Sequence, residues 1–158
     1  MILTHEQLIP LFKGALRVEM SATGYTAPRR FTEKGQEYYN TLGDFGKKAR
    51  ATSCVRLEMI TDSDLFSYEY TLEGASSRKF AYFDLVVDGT VLRHDGYEGI
   101  SSMSGNITAT LPAGTHHVAL YFPNLFKGNI RNVTLSDGAT FAPVEKSCRI
   151  YAVGDSIT

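Results

Sequence analysis

Gly154-Asp155-Ser156 follows an apolar run, Ile150-Tyr151-Ala152-Val153, near the end of the sequence. An apolar strand turning sharply at a small residue and presenting a serine at the sheet edge is the arrangement of a hydrolytic nucleophile. The chemistry in question is acyl transfer. A serine hydroxyl attacks an ester only when a base takes its proton and fixed donors receive the developing oxyanion. Only His5, His94, His116 and His117 offer an imidazole base. A triad is defined by geometry and not by chain order, so each has to be weighed. His116 and His117 are adjacent on an expected strand and must point to opposite faces, and His5 falls in the first turn of an expected helix. They read as solvated or capping residues. His94, beside Asp95 in an expected loop, is the one suited to line a cleft against another domain.

Other polar clusters carry less chemistry. Asp62-Ser63-Asp64 supplies hard oxygens but too few for the roughly six to eight ligands calcium prefers, and it reads as a solvated turn. Cys54 and Cys148 are far apart, lack metal-ligand spacing, and are expected to be buried thiols. No metal and no cofactor are expected. Asn106-Ile107-Thr108 and Asn132-Val133-Thr134 match the glycosylation pattern and read as polar residues at strand edges. Tyr25, Tyr97, Phe126 and Asn129 are placed in loops and form the candidate sugar-binding set, aromatic faces for stacking on a pyranose beside an amide for its hydroxyls.

The elements that must position these residues are mostly strands. Thr4-His5-Glu6-Gln7 has the form of a capping box and starts a helix expected over residues 5–13, followed by an alternating strand over 15–20. Residues 21–50 are polar and read as a connection with little sheet and a helical turn at 32–39. Beyond residue 51 the period becomes two: Val55, Leu57 and Met59 share one face of a strand, and Phe66, Tyr68, Tyr70 and Leu72 one face of the next. Asp88-Gly89 breaks a long apolar run as a two-residue hairpin turn does. A second hairpin is expected to join 107–111 to 116–122 through Pro112-Ala113-Gly114-Thr115, with further strands at 130–135 and 140–141. About eight to ten short strands with almost no helix define an all-β sandwich or barrel, and nine Tyr and nine Phe suit its core.

Sixteen Lys and Arg balance seventeen Asp and Glu, and no basic run is longer than a pair such as Arg29-Arg30 or Lys47-Lys48. Concentrated positive charge is missing, which excludes nucleic acid and anionic membrane as partners. Without an apolar leader or a stretch approaching about 18 apolar residues, a cytoplasmic location is expected.

With these elements in place, Gly154-Asp155-Ser156 resembles the first block of the SGNH or GDSL hydrolase superfamily. The stretches Gly14-Ala15-Leu16-Arg17-Val18-Glu19, Pro28-Arg29-Arg30-Phe31-Thr32, Phe83-Asp84-Leu85-Val86-Val87-Asp88-Gly89 and Leu120-Tyr121-Phe122-Pro123 resemble the jelly-roll domain preceding the catalytic domain in bacterial esterases of that type. The resemblance implies a jelly-roll β-sandwich over 1–144. It implies a linker, first strand and nucleophile block of an α/β/α hydrolase domain over 145–158, with Ser156 as the parent enzyme's nucleophile and an oxyanion donor through its amide. The partner it implies is a C-terminal SGNH catalytic domain, and the substrate an acyl or acetyl ester, plausibly on carbohydrate. The later blocks, which carry the remaining oxyanion donors and the histidine base, do not occur in these 158 residues, so the chain alone is expected to be inactive and to scaffold or bind. The alternatives are a free-standing carbohydrate-binding module and an assembly domain using an exposed sheet edge.

Overall fold

In the computed structural model, residues 1–145 are described. Gly154, Asp155, Ser156, Cys148 and the expected strand at 149–153 lie outside the described residues, so the expected domain boundary at 145 is untested.

The strands in chain order are β1 (Phe12–Lys13), β2 (Arg17–Met20), β3 (Thr26–Arg29), β4 (Arg56–Thr61), β5 (Leu65–Gly74), β6 (Phe80–Val87), β7 (Thr90–Glu98), β8 (Ser102–Thr110), β9 (His116–Tyr121), β10 (Phe126–Leu135) and β11 (Phe141–Pro143). They form two antiparallel sheets. One runs β2-β3-β10-β5-β8; the other runs β1-β4-β9-β6-β7, with β11 end to end with β1 along the same flank of β4. From β3 to β10 the pairing is nested: β3 with β10, β4 with β9, β5 with β8, β6 with β7. Successive nested pairs alternate between the sheets, which is the winding of a jelly roll. The all-β sandwich expected from the period-two patterning is the observed fold.

Alternation explains the core. Phe66, Tyr68, Tyr70 and Leu72 of β5 face inward against Ala81, Phe83, Leu85 and Val87 of β6, with Leu57, Met59, Val118, Leu120, Ile130 and Leu135 around them. Aromatic rings bridge the sheets: Phe83 lies 5.4 Å from Tyr68 and 5.2 Å from Tyr70 of the facing sheet, and 5.4 Å from Phe122 just beyond β9 on its own side, all in tilted or edge-on geometry. Burial raises the Tyr68 hydroxyl well above the ordinary phenol value.

Several connections depart from the sequence expectation. The capping box forms, with Gln7 N donating to Thr4 Oγ1 at 3.3 Å and Thr4 N to Gln7 Oε1 at 2.8 Å. The α-helix α1 (His5–Leu8), however, gives way to a 3₁₀ turn at Ile9–Leu11. Phe12 is then extended, because its ring packs 5.8 Å from Phe122 while its backbone pairs with Leu57. Residues 21–50 hold more structure than expected: strand β3 and the helices α2 (Glu33–Asn40) and α3 (Asp44–Lys48). Pro28 argues against a strand by sequence, yet Thr26, Ala27 and Pro28 are all buried there. The expected hairpin of 107–111 with 116–122 does not exist. β8 pairs with β5 and β9 with β4 and β6, so the Pro112-Ala113-Gly114-Thr115 turn carries the chain from one sheet to the other. The segment between β4 and β5 is a similar arch. There Ser63 is fully buried, its Oγ donating to the Leu65 carbonyl at 2.6 Å and accepting from Ser136 N at 2.8 Å.

The Asp88-Gly89 turn forms as expected, with φ of 49° and 81° at its two central residues. Asp88 reaches β9, accepting from His117 N at 2.9 Å and lying 2.6 Å from His116 Nδ1; His116 Nε2 lies 3.1 Å from the Ala113 carbonyl. With an acceptor at each ring nitrogen, the doubly protonated imidazole is favoured. The bond to Asp88 and then that to Ala113 raise the His116 pKa, and His116 followed by the His117 amide lowers that of Asp88. The raised histidine contributes stability that is complete below its ordinary value of 6.5 and lost as pH rises through the raised value. The depressed aspartate contributes stability complete above 3.8 and lost as pH falls through the depressed value. Melting temperature measured by circular dichroism should therefore decline above neutral pH, and His116→Asn should flatten that decline; an equal slope in both proteins would contradict the pairing.

Candidate ligand-binding site

Period two on the outer face of the six-stranded sheet sets the geometry of the first candidate. Phe80, Tyr82 and Asp84 alternate with core residues of β6 and so project outward. Backbone pairing then aligns His94, Asp84, Tyr121 and Arg56 in one row across β7, β6, β9 and β4. His94 Nδ1 is hydrogen-bonded to Asp84 Oδ1. The His94 ring stacks on Tyr82, centroids 4.3 Å apart and planes 9° from parallel. Arg56 Cζ stands 5.8 Å from the Tyr121 centroid while its Nε donates to Glu58 Oε2 at 3.2 Å. Gly96 sits opposite Tyr82, where a Cβ would collide with the Ala81 carbonyl oxygen and approach Tyr82 Cα to 2.6 Å. Only glycine lets the Tyr82 ring lie down over β7. Phe80, Tyr82, Asp84, His94 and Tyr121 line a groove of about 270 Å³ together with Asn124 and Cys54, and one of about 380 Å³ occurs on the opposite face.

The larger cleft lies between the five-stranded sheet and α2 and is charged. Arg17 bonds to Glu19 and, at 3.3 Å, to Glu33; Arg29 Nε is 3.3 Å from Glu19 Oε2; Lys127 Nζ is 3.0 Å from Glu73 Oε2; Arg50 Nη2 donates to Asn40 Oδ1 at 3.3 Å. Burial lowers the Arg29 pKa, and Glu19 opposes that shift. The charges there answer one another.

The four sequence-chosen binding residues do not form one site. Phe126 is not in a loop: it lies in β10 and is 0% exposed, because it alternates inward with Ile130, so it cannot stack on a sugar. Asn129 is also in β10, where its Nδ2 donates to Thr71 Oγ1 at 3.2 Å. Tyr25 precedes β3 on the same sheet, with Arg131 Cζ 4.5 Å from its centroid. Tyr97 is 58% exposed but stands on β7 of the other sheet. His94 likewise lies within β7 and not in a loop. Cys54 is exposed, with φ of 62°, and not the expected buried thiol. His5 Nδ1 lies 3.0 Å from Thr26 Oγ1, and His117 Nε2 2.8 Å from Glu58 Oε1. Asp62 Oδ1 accepts from Thr140 N at 2.6 Å, and among the described residues no group of three or more His, Cys, Asp or Glu is placed to hold a metal. No described helix is long and apolar enough to cross a membrane.

Fold and outer faces together define an antiparallel β-sandwich with a polar and aromatic groove on one outer face. No family model matches the chain, and no curated protein matches it significantly. Solved structures do. The salicylyl-acyltransferase SsfX3 from a tetracycline biosynthetic pathway is 29% identical with a TM-score of 0.70, over 86% of this chain and 39% of that one. A putative GDSL-like lipase from Bacteroides ovatus is 13% identical with a TM-score of 0.56, over 94% of this chain and 44% of that one. A family 35 carbohydrate binding module from an environmental isolate is 13% identical with a TM-score of 0.50, over 92% of this chain and all of that one. The last two establish likeness of fold alone. The chain spans less than half the length of the first two.

Two substitutions test the placement of these side chains. Phe126→Ala should cost about 3–5 kcal/mol in urea denaturation, whereas Tyr97→Ala should cost less than about 1 kcal/mol; equal costs would refute the assignment of Phe126 to the core. Gly96→Val should destabilise by about 1–3 kcal/mol and shift the His94 ring resonances as Tyr82 is displaced, and unchanged resonances would refute the stack.

Proposed function

We propose that this chain is the N-terminal accessory β-sandwich of a serine acyl-transfer enzyme of the SGNH or GDSL type, with Ser156 as the enzyme's nucleophile. The observation that carries this is the 29% identity over 86% of the chain to an acyltransferase that extends well beyond the matched region. It is supported by the Gly154-Asp155-Ser156 block that follows the sandwich in sequence and by the shared fold of a GDSL-like lipase. The sandwich scaffolds the catalytic domain or binds part of the substrate, an acyl or acetyl ester carried on carbohydrate. Among the described residues, His5, His116 and His117 are engaged with Thr26, Asp88 and Glu58, and His94 is stacked on Tyr82, which supports a binding or scaffolding part for the sandwich.

A second reading, a free-standing carbohydrate-binding module, is favoured by one observation: a module of family 35 is matched along its whole length by this sandwich. Turnover of p-nitrophenyl acetate separates the two. The full protein encoded by the gene should hydrolyse it, Ser156→Ala should lower kcat by a factor of about 10⁴ or more, and residues 1–158 alone should give no turnover above buffer. Equal turnover by the full protein and its Ser156→Ala variant would sink the nucleophile assignment.

A further inference from the structure

We propose that the groove on the outer face of the six-stranded sheet is a binding site for a neutral pyranoside, with Tyr121 and Phe80 as the apolar platforms and Asp84, His94 and Asn124 as the hydrogen-bonding groups. The choice of ligand class rests on the substrate-binding side of the function proposed above.

Tyr121 and Phe80, at the end of β9 and the start of β6, are 40% and 42% exposed. Both line the same groove as Asp84, His94 and Asn124. A pyranose presents the same alternation, axial C–H groups that pack on an aromatic face and equatorial hydroxyls around its rim. Asp84 Oδ1 is held by His94 Nδ1. This fixes both side chains and leaves Asp84 Oδ2 as an acceptor and His94 Nε2 as a second polar atom, a spacing suited to adjacent hydroxyls. The stack on Tyr82 locks the imidazole plane, so the polar groups are set before the ligand arrives and little side-chain entropy is lost on binding. Charge selects further. A carboxylate in the groove disfavours an anionic sugar, and Arg56, beside Tyr121, donates to Glu58. The charged cleft on the opposite face is the weaker candidate because its cations already have carboxylate or amide partners.

The test is an amide-resolved NMR titration of the 158-residue chain with cellotetraose, xylotetraose and maltotetraose, and with trigalacturonate as the charged control. At least one neutral probe should shift the amides of Tyr82, Asp84, His94 and Tyr121 with a millimolar Kd, and trigalacturonate should not. Tyr121→Ala should weaken that binding roughly tenfold without lowering the melting temperature, while Glu37→Gln in the opposite cleft should leave it unchanged. If Tyr121→Ala does not fold, Phe80→Ala serves for the same comparison. No shift with any neutral probe at about 10 mM, shifts confined to the five-stranded sheet, or undiminished binding by the aromatic variants would each overturn the site. Because this readout needs no turnover, loss of the esterase reading leaves it standing, and its own loss leaves the esterase reading standing.

Discussion

The inter-sheet aromatic contact of Phe83 with Tyr68 and Tyr70, backed by Phe122, is what the rest of the molecule is built around. Side chains on a strand alternate with a period of two, so once Phe83 is committed inward, Tyr82 and Asp84 are committed outward. A slip of one residue would bury Asp84 without a partner and expose Phe83, and both changes are costly. The core therefore dictates the surface. The same commitment on β9, where Leu120 and Val118 face inward, puts Tyr121 on the outside beside Asp84.

The buried polar groups show how the two sheets are tied at their ends. Thr52 is fully buried and donates from Oγ1 to the carbonyls of Pro123 and Phe126 at 3.0 and 2.9 Å. Ser63 does the corresponding work at the arch between β4 and β5. Arches have no ladder of their own, so their carbonyls and amides need side-chain partners when buried. Hydroxyls meet that need in little volume.

Much of the fold could be read in the sequence because its strongest signals are local. The alternation in β4, β5 and β6 and the Asp88-Gly89 turn each lie within a short window. What could not be read was whether a turn keeps the chain in its sheet: Pro112-Ala113-Gly114-Thr115 looks the same whether it closes a hairpin or carries an arch. His94-Asp95-Gly96-Tyr97 is polar and glycine-containing and so reads as a loop, but on an edge strand such as β7 that composition is tolerable. The groove was illegible for a related reason. Counting back from the Asp88-Gly89 turn sets Arg93 opposite Asp84, but an extra residue between the Leu85 and Val86 pairings shifts the register and brings His94 there instead. Tyr121 then arrives from β9, far along the chain. Phe126 is set apart from the other chosen residues by burial, and Tyr97 by standing on the other sheet, neither of which shows in a short window of sequence.

Among the described residues, β7 is paired on one flank only, with β6, and it carries both His94 and the Gly96 over which Tyr82 lies. An edge strand opens by local fluctuation far more readily than the sheet interior, and hydrogen exchange reports that opening amide by amide. One wall of the groove thus belongs to an edge strand, while the opposite wall, Tyr121, belongs to a strand paired on both sides. A molecule that touched both walls would tie the edge of this sheet to its interior.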